Sequence, residues 1–288
     1  MRFASFRHKG RNGLAVAAGA AAEFHGCVSG NPRYPGDLDT VIAGASDQLA
    51  RVGAELLCAP VVRLAEVDLQ PPLARPGKII CIGLNYADHA AEAGLALPTY
   101  PTVFARFASS LIGHGAAIVR PRASEQLDFE GEFVAVIGVG GRDIPRKRAL
   151  SHVAGYSLFN DASIRDYQLK TSQWTVGKNF DSSGAFGPYF VSADELPPGC
   201  RGLRLRTRLN GQTVQDASTE DLIFDVETLV SMLSQAFALS PGDIIVTGTP
   251  SGVGLARKPP LWMKPGDICE VELEGLGTLS NPIAGQVV

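Results

Sequence analysis

An α+β fold, mostly β, is the class this sequence predicts, and three observations predict it. Beyond residue 77, short apolar runs alternate with Gly/Pro turns; only a few segments carry helical periodicity; and there is neither an internal repeat nor a regular strand-helix alternation. With 288 residues, 45 % apolar and 19 % charged, the chain can bury a sizeable core as one large or two unequal domains.

The elements follow in order. Residues 2–6 and 14–18 read as a hairpin whose turn, 9–13, carries the Asn12-Gly13 signal. Basic Arg2, Arg7, Lys9 and Arg11 ahead of a small apolar run loosely resemble a signal peptide, but the hairpin accounts for more of the pattern. A helix is expected over 38–52 and a short strand over 58–64. The segment 70–77 holds three prolines and a glycine and reads as a linker, dividing a small N-terminal domain, 1–70, from a larger one, 71–288. After it, 78–83 is a buried strand. Arg146, Lys147 and Arg148 suit the solvated first turn of a helix. Asp225 is an N-cap followed by Val226, Leu229, Val230, Leu233 and Phe237 on one helical face. The helix stops at 240–243, the strand 244–247 runs into the glycine-rich loop 248–254, and a Pro265-Gly266-Asp267 turn introduces the last strand.

Composition removes several function classes. A net charge of −3 and a pI near 6.0 leave no basic footprint, so no nucleic-acid partner is expected. The cysteines Cys27, Cys58, Cys81, Cys200 and Cys269 are odd in number and contain no Cys-x-x-Cys pair, which argues against a disulfide framework or thiolate zinc site and fits a reducing cytoplasm. Without a run of 18 apolar residues, no membrane association is expected.

The segment 127–138, Leu-Asp-Phe-Glu-Gly-Glu-Phe-Val-Ala-Val-Ile-Gly, carries the most chemical information. On a strand, Glu130 and Glu132 point the same way, roughly 6.6 Å apart along the chain. Two such charges on a buried strand are costly unless a cation lies between them. The acids at 270, 272 and 274 serve as a control: there acid and apolar residues alternate cleanly, as on a half-exposed strand. Around Glu132 the run 133–137 has no polar residue, which indicates burial on both faces. A polar edge strand remains the alternative at this point.

Two further groups carry chemistry. On a short helix after the strand at 78–82, stopped by Gly94, His89 and Glu92 share a face at i,i+3, so the carboxylate can orient the imidazole as a general base. Read without other context, a surface helix with a chance His and Glu is the simpler account. Asp161 adds a third carboxylate with no Cys or His ligand nearby, a set that suits a hard cation, Mg²⁺ or Mn²⁺, with open positions for substrate. Lys178 would add a positive charge. The glycines at 138, 140 and 141 superficially imitate a dinucleotide-binding turn, but Asp143 stands where the third glycine belongs and would repel a pyrophosphate.

Four separated motifs now fall in order: Gly83-Leu84-Asn85-Tyr86 with His89 and Glu92; Asp128-Phe129-Glu130-Gly131-Glu132; Asn160-Asp161 with Arg165, Asp166 and Gln168; and Gly248-Thr249-Pro250 with Gly252-Val253-Gly254. Together they resemble the fumarylacetoacetate hydrolase family, from about residue 78 to 283. The resemblance implies a mixed β roll or sandwich with a small, variable N-terminal domain, a homodimer, and a 2-oxo acid substrate. It also implies that Glu130, Glu132 and Asp161 hold Mg²⁺ or Mn²⁺, that His89 and Glu92 activate water, and that Lys178 lies near the metal. Gln168 would reach the substrate and Thr249 would hold its carboxylate. The implied reaction is hydrolysis of a carbon-carbon bond in an acylpyruvate-type 2,4-dioxo acid, fumarylpyruvate-like, to pyruvate and an acid. Isomerisation, tautomerisation or decarboxylation through an enolate at the metal is the second expectation, and binding without turnover the third. Two departures from the family bear on the substrate: Arg106 stands where many relatives have lysine, and the segment 183–188 lacks the proline usual just before that turn.

Overall fold

The apolar run that follows Glu132 is a strand buried on both faces. In this computed structural model, which describes residues 1–20, 22–45, 47–92, 94 and 96–287, every residue of the strand Gly131–Ile137 is buried. Its side chains divide by parity, because neighbours on a strand point to opposite faces. Phe133, Ala135 and Ile137 join one hydrophobic cluster, and Val134 and Val136 join another.

The strand lies inside a large mixed sheet. Along its main path the order is His25–Val28, Arg11–Ala17, Arg2–His8, Gly184–Ser192, Val153–Asp161, Gly131–Ile137, Ile244–Val246, Ile79–Gly83 and Thr102–Arg106. All of these neighbours are antiparallel except Ile244–Val246 with Ile79–Gly83. A second sheet, Gln212–Ser218, Arg204–Leu209, Ile268–Leu273, Gly277–Gly285 and Ile118–Arg120, supplies Leu205, Val271, Leu273 and Leu279 to the first cluster. The helix Val226–Ala236 adds Leu229 and Leu233 there, while two short helices pack on the other face, where Phe3, Leu14 and Val16 of the N-terminal hairpin join the same cluster. This is the mostly β, α+β architecture expected. Among the described residues no helix is long and apolar enough to cross a membrane.

Several local expectations hold. Asp225 caps its helix by accepting the Thr228 N–H at 2.9 Å. The strand Ile268–Leu273 buries Cys269, Val271 and Leu273 and leaves Glu270 and Glu272 partly exposed, so the control strand behaves as a half-solvated one. Arg146, Lys147 and Arg148 are exposed at the start of the 3-10 helix Arg146–His152. All five cysteines are free.

Other expectations are corrected. The hairpin turns at Lys9-Gly10, both with positive φ (49° and 77°), between paired His8 and Arg11, as a two-residue loop requires. Asn12 and Gly13 lie within the return strand Arg11–Ala17; Gly13 is glycine because a Cβ there would come within 2.2 Å of the Phe6 ring. The helix expected over 38–52 is two helices, Leu38–Ile42 and Gln48–Leu56, separated around Gly44; Ser46 in that break lies outside the described residues. Instead of a strand over 58–64 there is one bridge, Val61 to His25, and a 3-10 helix Leu64–Glu66. Pro60, without an N–H, cannot continue a ladder there. The helix capped by Asp225 ends at Ala236, four residues earlier than 240. Gly94 stays in a left-handed conformation (φ 68°) after Ala87–Glu92, with Ala93 outside the described residues.

The segment 70–77 is packed and not free. Leu73 is fully buried, and the N–H groups of Ala74 and Arg75 donate to the Asp39 carboxylate at 3.1 and 3.0 Å. Because Arg2–His8 pairs with Gly184–Ser192, the boundary at 70/71 falls within one hydrogen-bonded sheet.

Asn85 ties the strand Ile79–Gly83 to the elements around the site. Fully buried, it donates to the Phe224 and Thr247 carbonyls at 3.0 and 2.7 Å and accepts the Phe224 N–H at 2.8 Å. Asn85→Ala leaves these groups unpaired in the core and is expected to cost about 2–3 kcal/mol in urea unfolding. A loss below about 0.5 kcal/mol would show that the clamp is dispensable.

Candidate metal centre

Strand parity builds the acidic cluster. Glu130 and Glu132 share the face of Val134 and Val136, and Asp161 shares the face of Phe159 on the neighbouring strand, where Glu132 is paired with Phe159. One oxygen from each of Glu130, Glu132 and Asp161 can be chosen so that all lie within 4.8 Å of one another, and all three side chains are buried. Gly131, between the two glutamates, is required by the second sheet: a Cβ would lie 2.0 Å from Thr207 Oγ1.

Three buried basic groups surround the cluster. Lys178 Nζ bridges Glu130 Oε2 and Asp161 Oδ2, each at 2.6 Å. Arg165 joins Glu130 (2.7 Å) to Asp128 (2.8 Å), and Arg106 donates to Asp161 Oδ1 at 2.5 Å. Asp128 also accepts the N–H groups of Gly254 and Leu255 at 2.7 and 2.9 Å, tying the loop 248–256 to Arg165. Burial disfavours a charge on Glu130, but Lys178 and Arg165 outweigh it and hold the carboxyl down at about 2. Burial likewise opposes the charge on Lys178, yet Asp161 and Glu130 raise its pKa, so it remains an ammonium and no base.

Glu132 is the exception. It accepts the Gly248 N–H, donated where Gly248 adopts φ 104°, and among the described residues it forms no ion pair with a basic side chain. Burial, then the Asp161 and Glu130 charges, push its carboxyl well up. An oxygen-only donor set with one uncompensated buried carboxyl fits a hard divalent cation, and Glu130, Glu132 and Asp161 are the residues that could hold it.

A cavity of about 440 Å³ opens beside this cluster. Of the site residues expected from sequence, His89, Glu92, Glu130, Glu132, Gln168, Lys178 and Thr249 line it, and Asp161 lies buried behind it. His89 Nδ1 is 3.4 Å from Glu92 Oε2, which leaves Nε2 for the cavity when Nδ1 carries the proton. The Gly252 N–H donates to Glu92 at 3.0 Å; burial works against that carboxylate, but the His89 and Gly252 hydrogen bonds prevail and lower its pKa. Gln168 accepts from Arg165 at 2.9 Å, which leaves its NH₂ for a ligand. The Thr249 hydroxyl donates to the Gly131 carbonyl (3.0 Å) and accepts from Gln215 (2.8 Å), so reaching a substrate carboxylate requires exchange of that bond. Phe104 and Trp174, edge to face at 5.4 Å, wall the cavity.

Comparison with known proteins places the chain in a family. The family model described as Fumarylacetoacetate (FAA) hydrolase C-terminal matches residues 78–284. This chain belongs to the fumarylacetoacetate hydrolase family. Within it, a fumarylacetoacetate hydrolase domain-containing protein 2 homolog from Dictyostelium discoideum is 45 % identical over 218 residues, 72 % of each chain. A mitochondrial oxaloacetate tautomerase from Xenopus laevis is 40 % identical over 225 residues, 77 % of this chain and 70 % of that one. The solved structure of a fumarylacetoacetate hydrolase from the psychrophile Exiguobacterium antarcticum superposes with a TM-score of 0.86 at 34 % identity, covering 99 % of this chain and 100 % of that one.

The roles of Asp128, Arg165, Gln215 and the two aromatic walls were not assigned from sequence. The first two stood inside recognised motifs, but their partnership spans 37 positions and no local pattern reveals it. Cation uptake at the three carboxylates should raise the melting temperature of chelator-stripped protein in Mn²⁺, by the equivalent of about 2.7 kcal/mol at one hundred times the dissociation constant. Glu132→Gln should lose most of that gain while its cation-free form melts no lower than the parent. Calorimetric scans with and without Mn²⁺ check this; an equal Mn²⁺ shift in the variant would contradict it.

Proposed function

We propose that this protein is a divalent-metal-dependent tautomerase of a 2-oxo acid of the oxaloacetate type. The observation that carries this reading is a single cavity bordered on one side by the Glu130, Glu132 and Asp161 cluster and on another by the His89–Glu92 pair. Its similarity to a protein named oxaloacetate tautomerase supports the choice of substrate.

Mg²⁺ or Mn²⁺ held by Glu130, Glu132 and Asp161 would supply Lewis-acid polarisation of the 2-oxo group, which acidifies the adjacent C3–H. His89, oriented by Glu92, takes the C3 proton at Nε2 as the C2–C3 double bond forms, then returns it to the C2 oxygen to give the enol. The reverse transfer regenerates the ketone. Lys178, kept charged by its two carboxylates, offsets negative charge as it develops and takes no proton. The Gln168 amide donates to a substrate oxygen, and Thr249 binds the substrate carboxylate. Phe104 and Trp174 keep water from the apolar side of the cavity.

Hydrolysis of an acylpyruvate is the second reading, favoured by the same dyad and by the likeness to a protein named fumarylacetoacetate hydrolase. There His89 would take a proton from water, hydroxide would add to the distal ketone, and the C3–C4 bond would break to an acid and pyruvate enolate, which takes a proton at C3. Following enol absorbance with oxaloacetate, and products by mass spectrometry with acylpyruvates, separates the two. Tautomerisation should be accelerated without carbon-carbon cleavage, and chelation should abolish it. His89→Ala should lower the rate by about 10²–10⁴-fold while Mn²⁺ binding is kept. Rapid acylpyruvate cleavage with no effect on oxaloacetate would replace the first reading by the second.

A further inference from the structure

Arg106 is a fully buried guanidinium whose hydrogen-bonding groups are almost all engaged at once. Nη1 donates to Asp161 Oδ1 (2.5 Å) and the Ala162 carbonyl (3.3 Å), Nη2 to Ser183 Oγ (2.6 Å), and Nε to Ser110 Oγ (3.3 Å). Both hydroxyls are themselves fixed: Ser183 donates to the Phe180 carbonyl at 2.6 Å and Ser110 to the Phe107 carbonyl at 2.8 Å. The guanidinium carbon lies 5.6 Å from the centroid of Phe159, the residue two before Asp161 on the same strand. A planar fork with a rigid donor set can satisfy this arrangement; an ammonium on a shorter stem cannot reach all four acceptors.

Space for that fork depends on one position. Gly184, directly paired with Asp161 in the sheet, would as alanine bring a Cβ 3.0 Å from Arg106 Nη2, 3.1 Å from Nε and 3.1 Å from the Phe159 ring. Those contacts are tight enough to displace a neighbour by a few tenths of an ångström, and the guanidinium is the neighbour whose shift breaks the Asp161 bond.

We infer that Arg106 is a positioning residue for Asp161, and that Gly184 is the gap that lets it act. Arg106 occupies Oδ1, which turns Oδ2 toward Lys178 and the Glu130–Glu132 side of the cluster. Asp161 is thereby presented to a cation in one orientation. This inference rests on the reading that the three carboxylates hold a divalent ion, and concerns how tightly they do so.

The test is Mn²⁺ titration of chelator-stripped protein, with free Mn²⁺ followed by electron paramagnetic resonance, on the parent, Arg106→Lys, Gly184→Ala and the double variant. Arg106→Lys should weaken Mn²⁺ binding by about 10–100-fold, the range for lost support of a metal ligand. Gly184→Ala should weaken it less, and only while Arg106 is present, so the double variant should match Arg106→Lys alone. A generally loosened fold would instead give additive losses, which would overturn the coupling. Parent-like affinity in Arg106→Lys overturns the inference and leaves the metal reading intact. A parent protein that takes up no Mn²⁺ removes both. Should Arg106→Lys fail to fold, Gly184→Ala decides: unchanged affinity overturns the inference and weakened affinity supports it.

Discussion

Four buried carboxyl groups and three buried basic side chains share one cluster beside the cavity, and every other feature of the site answers to that imbalance. Asp128, Glu130 and Asp161 each have a basic partner among Arg106, Arg165 and Lys178, and Glu132 has none. Buried ions are costly unless paired and hydrogen-bonded, and removing one partner of such a set costs more than the pair contributes. The basic residues restrain repulsion among the acids enough for the sheet to form, and they fix which oxygens remain for a cation. The unmatched Glu132 carries the remaining demand for positive charge.

The sheet makes this arrangement possible by being covered on both sides. The second sheet and the helix Val226–Ala236 pack one face, and on the other the short helices and hairpin residues share a cluster with Val134 and Val136, so Glu130 and Glu132 are buried side chains where they border the cavity. Close approach of the second sheet requires the glycine at 131, and the left-handed backbone at Gly248 aims an N–H at Glu132. Through Asp128 and Arg165, the loop that walls the cavity is joined to the same Glu130 carboxylate. The residues proposed to contact substrate and those proposed to hold the metal therefore belong to one connected polar network in an apolar surround.

What could be read from the residues follows from range. The pair at 130 and 132, its burial, the capped helix at 225 and the half-exposed strand at 268 depend on local periodicity, and local periodicity is written in sequence. The order of four motifs was enough for the family. Errors arose where tertiary packing overrode a local signal: Gly13 serves the Phe6 ring and not a turn, and 58–64 is held by a single bridge. Arg106 was visible as a departure, but its pairing with Asp161 across 55 positions was not. Those long-range ion pairs are consequences of sheet order, which no single segment encodes.

The most direct test of the account is an anomalous-difference map from crystals of the protein soaked in Mn²⁺. One strong peak per chain, with carboxylate oxygens of Glu130, Glu132 and Asp161 at about 2.0–2.3 Å, is the predicted result. A map with no peak there at saturating Mn²⁺, or with its strongest peak at other residues, would contradict it.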